Sequence, residues 1–339
     1  MKTVRATAKG HMKGFCRVCP ICNGVACAGE VPGMGGIGTG AAFRANLASL
    51  AAYHLNMRLF HDVDTPDPAT TFLGQSLDIP VLAAPIGGVS FNMGGALSED
   101  DYIRAKLEGC CQSGILGCTG DGVPPFIHEA AFAAIRAVAG RGIPFIKPWE
   151  DAELFSKLEQ ALATGAAIVG MDIDAAGLVT LRQMGRPVSP RTPAEMKAII
   201  EKIPAPFILK GIMTTDQARL AVDVGAAAIV VSNHGGRVLD HAPGAAEVLP
   251  EIADAVKGQI AILTDGGIRC GADVLKMIAL GADAVMIGRP FSIATVGGGT
   301  EGVIAYIDQI KNELLSAMVL TGCPDIASVH RDILRPAAG

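Results

Sequence analysis

Residues 228–240 read Ala-Ile-Val-Val-Ser-Asn-His-Gly-Gly-Arg-Val-Leu-Asp. The apolar run ends abruptly at Ser-Asn-His, which is typical of a short strand buried on both faces. His234 then lies at the carboxyl end of this strand, and the two glycines allow a turn that brings Arg237 back toward it. An imidazole exchanges protons near pH 7, and a guanidinium binds carboxylates with two hydrogen bonds. The stretch therefore predicts proton abstraction from a carboxylate-bearing substrate.

From about residue 77 the chain alternates strand-like and helix-like segments. The predicted strands are 81–85, 114–118, 143–147, 167–172, 206–210, 228–231, 260–264 and 284–287. Eight strands alternating with amphipathic helices predict a (β/α)8 TIM barrel of the α/β class, with a doubly wound open sheet as the alternative. We assign residues 1–40 to an N-terminal extension rich in Cys and Gly, and residues 41–339 to the barrel domain. Residues 41–55 resemble a helix, and we interpret the glycine run 297–299 as a loop.

Charged and polar residues stand at the ends of six successive predicted strands. In a TIM barrel these positions share one rim, and active sites are built on that rim. The sequence therefore predicts a single site rather than scattered surface charges. Its candidate residues are Lys147, Asp172, Asp174, Lys210, Ser232, His234, Asp265 and Arg289.

The last two strands are followed by Asp265-Gly266-Gly267-Ile268-Arg269 and by Gly288-Arg289-Pro290. Glycines leave backbone N–H groups open to a phosphate, and arginines neutralise its charge. Tight turns with surface arginines are the alternative, but barrels usually bind phosphate after strands seven and eight. Lys210, on the fifth strand, could stabilise an anion such as a reduced flavin ring, or pair with a carboxylate of the rim.

Four ordered motifs carry a resemblance to a known family. They are Lys210-Gly211-Ile212, residues 232–240, residues 265–269 and residues 281–290. Together they resemble the FMN-dependent α-hydroxy acid oxidases and dehydrogenases, a family that includes glycolate oxidase, lactate oxidase and mandelate dehydrogenase. The likeness extends upstream to residues 70–74 and 80–85, so it covers most of the chain from about residue 41.

The resemblance implies FMN-dependent oxidation of a small, lactate-like L-2-hydroxy acid to the 2-oxo acid. It implies that His234 takes the proton, that Arg237 holds the substrate carboxylate and that Lys210 stabilises the reduced flavin. The aspartate that supports the histidine falls best on Asp174, with Asp172 as the alternative. The implied flavin contacts are Ala84, Pro85, Thr119, Lys147, Lys210, Ser232, Asp265, Gly267, Arg269, Gly288 and Arg289.

The chain also departs from the family pattern. No tyrosine precedes Tyr53, although the family usually has one near its N-terminus that contacts the substrate. Leu181, beside Arg182, stands where a second carboxylate-binding arginine is usual, and Val238 replaces a common glutamine. The loop 175–191 is shorter than in typical members. These differences leave flavin binding and the His234 chemistry intact and concern the identity of the substrate.

The extension contains four cysteines in twelve residues, Cys16, Cys19, Cys22 and Cys27. Such compact spacing can hold an iron–sulfur cluster or zinc, because thiolates of one tight loop can converge on a metal. Reduced structural thiols and a reversible redox pair are the alternatives. A metal here would favour a second function, that of a flavin/metal electron-transfer protein.

The composition of the chain argues against two kinds of binding partner, nucleic acid and the lipid bilayer. A net charge of −5 argues against nucleic acid, and no apolar run is long enough to span a bilayer. Nine cysteines without a disulfide pattern fit a reducing cytoplasm, so we expect a cytoplasmic protein, and the resemblance implies a homo-oligomer. A non-redox FMN enzyme similar to type 2 isopentenyl diphosphate isomerase is the other alternative, against which His-Gly-Gly-Arg argues.

Overall fold

The computed structural model describes residues 1–337, which contain a closed barrel of eight parallel strands. Each strand pairs with the next along the chain, and the last pairs with the first, where Val285 lies opposite Val81. The predicted (β/α)8 TIM barrel is confirmed, and the open sheet is wrong. The barrel strands are Val81–Ile86, Leu116–Thr119, Gly142–Ile146, Val169–Asp172, Phe207–Ile212, Ala228–Val231, Ala261–Thr264 and Ala284–Ile287.

The second barrel strand begins later than predicted. Gly114 takes a left-handed φ of 69°, and the Ile115 N–H donates to the Cys110 carbonyl at 2.9 Å, which closes the preceding helix. Thr119 is consequently the last residue of the strand rather than the first residue after it. The third strand ends before Lys147, which therefore lies in the loop.

Apolar side chains form two layers, one inside the barrel and one between the barrel strands and the surrounding helices. One buried cluster contains Leu82, Phe145 and Val230 from inside the barrel. Their strand neighbours, such as Val81 and Ile229, belong to a second cluster shared with the surrounding helices. This alternation follows from the two-residue period of a strand and explains why the barrel strands are apolar on both faces.

The helices surround the barrel. None of those within residues 1–337 combines the length and apolar character needed to cross a membrane. The α-helices are Lys2–His11, Ala41–Ala51, Val89–Met93, Glu99–Gln112, Pro125–Ala137, Asp151–Leu162, Val179–Gln183, Pro193–Ile200, Thr215–Asp223, Ala245–Val256, Gly271–Ala279 and Arg289–Thr321, and the 3-10 helices are Ile173–Gly177, His234–Gly236 and Arg331–Ile333.

Two helix predictions need correction. The helix predicted over 41–55 ends at Ala51, because Tyr53–Leu55 forms a short antiparallel strand with Leu334–Pro336; the other short strands, Thr70–Phe72 and Gln75–Leu77, pair as a hairpin. The glycine run 297–299 is not a loop but lies within the helix Arg289–Thr321, which is interrupted at Gly299. Gly297 has to lack a side chain, since a Cβ there would overlap the backbone carbonyl group of Val4 in the first helix.

The N-terminal extension, residues 1–40 and called the N-terminal segment below, lies against the rim formed by the carboxyl ends of the barrel strands. After the helix Lys2–His11 it continues without regular structure, and the Ile37 N–H donates to the Gly236 carbonyl at 2.8 Å. The Asp240 carboxylate then accepts from the N–H groups of Thr39 and Ala41 at 2.6 and 2.9 Å. These contacts hold the segment on the loop that carries His234. The division of the chain at residue 40 stays a prediction.

We expect Gly271→Ala to destabilise the fold. The backbone of the last helix passes so close to Gly271 that a Cβ would lie 2.6 Å from the Ile310 carbonyl oxygen. Overpacking of this kind costs about 1–3 kcal/mol, so the midpoint of thermal unfolding should fall by several degrees. Gly10→Ala is the control, since its Cβ would meet nothing within 4 Å. Equal midpoints for the two variants would contradict this account of the packing.

Candidate active site

A pocket opens at the carboxyl ends of the barrel strands, and Met34 of the N-terminal segment forms part of its wall. It brings together most of the site residues predicted from the sequence, although they come from seven strand ends and are spread over residues 84–289. The predicted residues that line it are Ala84, Pro85, Lys147, Asp172, Lys210, His234, Arg237, Asp265, Gly267, Arg269, Gly288 and Arg289.

The loop that carries His234 is a tight turn of three left-handed residues. His234, Gly235 and Gly236 have φ values of 57°, 63° and 76°. Such a conformation is costly for a non-glycine residue and is often found at functional sites. The Asn233 side chain fixes the turn, because its Oδ1 accepts from the Gly236 N–H at 3.1 Å and from Asn46 Nδ2 at 2.8 Å.

His234 Nδ1 lies 2.8 Å from Asp174 Oδ1. A carboxylate accepts a hydrogen bond, so Nδ1 carries the proton and Nε2 is left as the basic nitrogen. Lys210 Nζ is also near, at 3.2 Å from Nδ1, but both groups are donors in this tautomer and we assign the hydrogen bond to Asp174. The sequence placed Asp174 on the fourth barrel strand. In the structure it lies two residues beyond the end of that strand, in the turn Ile173–Gly177.

Burial alone would raise the pKa of Asp174, but the charges of His234 and Lys210 outweigh it and hold the pKa below its usual range. Lys210 in turn lies 3.4 Å from Asp172 Oδ1 and 3.6 Å from Asp174 Oδ2. Burial disfavours its charged form, yet these two carboxylates raise its pKa. Asp172 also faces Lys147 Nζ at 3.8 Å. The site therefore keeps a permanent cation beside the histidine.

The side chains of Arg237, Arg269 and Arg289, each half-buried, line the same pocket. Within residues 1–337 none of these guanidinium groups has a carboxylate oxygen within 4.0 Å, the distance of a salt bridge. Burial lowers the pKa of Arg237 to about 10. Burial, with the charges of Arg237 and Arg269, lowers that of Arg289 to about 9. Partly buried cations without protein anions indicate a site for anionic ligands.

Two of these arginines bind the N-terminal segment. Arg237 donates to the Gly33 carbonyl and, at 2.9 Å, to Asn92 Oδ1. Arg289 Nε donates to the Met34 carbonyl at 2.7 Å. The backbone carbonyls thus fix the direction of each guanidinium while leaving further N–H donors for a ligand.

Comparison with known proteins identifies the family. The model of the FMN-dependent dehydrogenases matches residues 33–184 and 173–336. This chain belongs to the FMN-dependent dehydrogenase family. It is an oxidoreductase of the 2-hydroxy acid oxidase and dehydrogenase class, and its cofactor is FMN.

The relatives agree with this assignment. The L-lactate oxidase of Lactobacillus jensenii is 31% identical over 321 residues, which cover 86% of this chain and 77% of the relative. The L-lactate oxidase of Lacticaseibacillus rhamnosus is 33% identical over 326 residues, or 84% of each chain. A crystal structure of mandelate oxidase has a TM-score of 0.81 at 28% identity and covers 99% of this chain and 97% of its own.

The FMN-dependent dehydrogenase pocket has unpaired polar atoms where the sequence predicts the ribityl and phosphate groups. Asp265 Oδ1 and Arg269 Nε are buried without a hydrogen-bond partner among the described residues. Burial raises the pKa of Asp265, although Lys210 opposes this. A carboxylate suits ribityl hydroxyls and a guanidinium suits a phosphate. The residues present therefore fit FMN.

Three predicted residues do not line the pocket. Thr119 and Ser232 are buried behind it, and the wall beside Thr119 is formed by Gly120 and Asp121 instead. Ser232 acts within the loop, where its Oγ accepts from the His234 N–H at 3.0 Å. Asp174 also lies behind the wall and contacts the histidine from there. The flavin contacts of Thr119 and Ser232 stay predictions.

Two residues that line the pocket, Asp121 and Asn92, were not predicted from the sequence. Asp121 accepts from Trp149 Nε1 at 2.5 Å and from Lys157 Nζ at 2.8 Å, which ties together the loops after the second and third strands. It stands just past a strand end, so the strand-end rule could have found it. Asn92, which contacts Arg237, lies on the short helix Val89–Met93, and no sequence pattern marks it.

One departure from the family pattern, Leu181, lies at the pocket. It is buried and lines the wall together with Leu178, Thr180 and Met184, whereas the neighbouring Arg182 is exposed. The part of the wall formed by these four residues therefore contains no arginine.

Proposed function

We propose that this protein oxidises a small, lactate-like L-2-hydroxy acid to the corresponding 2-oxo acid. The observation that supports this most is the His234 Nδ1–Asp174 Oδ1 contact of 2.8 Å at a pocket that also contains Arg237. A histidine held in one tautomer beside a carboxylate-binding cation is the arrangement that proton abstraction from a 2-hydroxy acid requires. The family and its relatives favour this function over the isomerase alternative.

Each residue has a defined task in this proposal. Arg237 binds the substrate carboxylate, and its contacts with Gly33 and Asn92 orient it for that purpose. His234 Nε2 takes a proton from the substrate, from the α-carbon or from the hydroxyl group. Asp174 stabilises the imidazolium that results. FMN, when bound, accepts the two electrons that leave the α-carbon, and Lys210 would balance the negative charge that the ring then acquires.

The remaining pocket wall suits an apolar substrate side chain. Met34, Phe91, Leu178, Leu181 and Met184 all line it. Burying methyl and methylene groups there would be favourable, by about 0.8 kcal/mol for each CH₂. None of these five side chains carries a positive charge that could bind a second carboxylate of the substrate. Lactate, whose side chain is a methyl group, fits this chemistry.

The proposal is tested by turnover with a panel of acids. The FMN-loaded protein is mixed with L-lactate, D-lactate, glycolate and L-malate together with an electron acceptor, and the 2-oxo acid is quantified. We expect the 2-oxo acid from L-lactate and little from D-lactate or L-malate. Isopentenyl diphosphate is tested in parallel. Its isomerisation without any oxidation of the acids would overturn the proposal.

We expect Arg237→Met to weaken substrate binding. Hydrogen bonds to charged groups contribute about 1.5–3 kcal/mol, so the KM for L-lactate should rise roughly 10- to 100-fold, with a smaller effect on kcat. Steady-state kinetics checks this. Arg182→Met is the matched control, because Arg182 is exposed and outside the pocket wall. A raised KM in the control and not in Arg237→Met would assign the clamp to Arg182.

Two parts of the interpretation stay predictions. Self-association into a homo-oligomer can be measured by light scattering of the purified protein. A cytoplasmic location follows from cysteine usage and can be checked by cell fractionation. The electron acceptor, oxygen or another compound, is a further result of the turnover experiment.

A further inference from the structure

The proposed function uses none of the four thiols of the N-terminal segment. Cys16, Cys19, Cys22 and Cys27 are all free and half-buried, although they lie on an irregular loop at the surface of the barrel. Cys16 packs against the buried cluster that contains Val18 and Met34. Within the described residues Cys19, Cys22 and Cys27 belong to no buried hydrophobic cluster, so core packing accounts for only one of the four thiols.

Paired contacts fold this loop back on itself. The Arg17 guanidinium donates two hydrogen bonds of 2.5 Å to the Glu30 carboxylate, which brings the turn at Cys16 to the turn at Cys27. The Met34 N–H donates to the Phe15 carbonyl at 3.0 Å and holds the base of the loop closed. Cys16 and Cys27 therefore lie near the two ends of one closed loop, which also contains Cys19 and Cys22.

The four thiols lie on one loop that is closed at its base between Phe15 and Met34. Yet among residues 1–337 no three thiols have sulfur atoms within 4.8 Å of one another. A single zinc ion needs that proximity, because Zn–S bonds of about 2.3 Å set tetrahedral ligands less than ~4 Å apart. An iron–sulfur cluster spreads its ligands over several iron atoms and needs wider spacing.

Backbone and charge also suit a cluster. Val18 has a left-handed φ of 44°, which is unusual for a β-branched residue, and its N–H donates to Cys16 Sγ at 3.4 Å. Arg269 Nη2 donates to Cys22 Sγ at 3.6 Å. Hydrogen bonds and cations around the sulfurs stabilise thiolates and the negative charge of a cluster.

We propose that Cys16, Cys19, Cys22 and Cys27 ligate a [4Fe–4S] cluster. The spacing Cys-x2-Cys-x2-Cys-x4-Cys supplies the four thiolates that such a cluster requires. The cluster lies beside Arg269, at the predicted phosphate end of the FMN site. This proposal does not depend on the identity of the hydroxy acid.

The test measures metal and sulfide directly. The FMN-loaded protein is prepared without oxygen, incubated with ferric iron, sulfide and a thiol reductant, and desalted. We expect about four iron and four acid-labile sulfide per chain, and an electron paramagnetic resonance signal after dithionite reduction that differs from that of a flavin radical. Cys19→Ser should lose most of the iron, sulfide and signal. Cys111→Ser is the control, since Cys111 is also half-buried but lies on the helix Glu99–Gln112.

Several results would overturn the proposal. The first is an iron and sulfide content of the parent protein that is no higher than that of Cys19→Ser. The second is a bound metal without sulfide. The third is an equal loss of iron and sulfide in Cys19→Ser and Cys111→Ser. The content of the parent protein decides the question even if a variant fails to fold. FMN retention by each variant shows whether its barrel is intact.

Discussion

Replacing His234 with alanine is expected to slow reduction of the bound FMN by L-lactate at least ~100-fold, the usual scale for loss of a general base. The contact with Asp174 leaves Nε2 as the basic nitrogen, and His234 is the one histidine of residues 1–337 that lines the pocket. FMN should stay bound, because the unpaired Asp265 and Arg269 atoms that fit it lie on other loops. Anaerobic rapid mixing, followed by the flavin absorbance, measures the rate.

His241→Ala is the matched control for this experiment. It removes a histidine seven residues away whose side chain is 74% exposed, and it should react at the parental rate. Reduction of the His234→Ala flavin at the rate of the control would show that another group takes the proton.

Replacing Asp174 with asparagine is also expected to produce a large loss, about 10²- to 10⁴-fold in the rate of flavin reduction. The asparagine amide could donate to Nδ1 and would then hold the imidazole in the wrong tautomer. It would also leave the imidazolium without its counter-charge. Asp172→Asn is the comparison, because the Asp172 carboxylate pairs with Lys210 and Lys147, whereas the hydrogen bond to His234 comes from Asp174. A larger loss in Asp172→Asn would transfer the supporting role to Asp172.

The same carboxyl group links stability to pH. The pKa of Asp174 is lower in the folded protein than in the unfolded chain, where it is about 3.9. Its contribution to the free energy of unfolding is therefore complete above the unfolded pKa and is lost as the pH falls through the folded pKa. Asp174→Asn should weaken this part of the acid destabilisation. Denaturant unfolding of both proteins between neutral and acidic pH measures the difference.

Much of the site follows from one rule applied to the sequence. Apolar runs that end in charged residues predict the barrel strands and the rim, and the structure brings Lys210, His234 and Asp265 to one pocket as that rule requires. The rule works because parallel strands in a closed barrel all end on the same side. Individual strand ends are less predictable, since Gly114 and Ile115 belong to a helix cap that only the three-dimensional structure shows.

Contacts between distant segments could not be predicted. Asn92 binds Arg237 across 145 residues of sequence, and Met34 binds Arg289 across 255. Neither residue has a sequence pattern that points to its partner, because Met34 lies in a segment without regular structure and Asn92 lies on a helix of only five residues. The choice between Asp172 and Asp174 also depends on geometry, since the chain leaves the strand after Asp172 and turns Asp174 toward the histidine.

Anaerobic mixing of the FMN-loaded protein with excess L-lactate tests the central claim most directly. The account predicts that the absorbance of oxidised flavin disappears, with one pyruvate formed for each flavin reduced. An unchanged flavin spectrum with L-lactate and with other small L-2-hydroxy acids would contradict it.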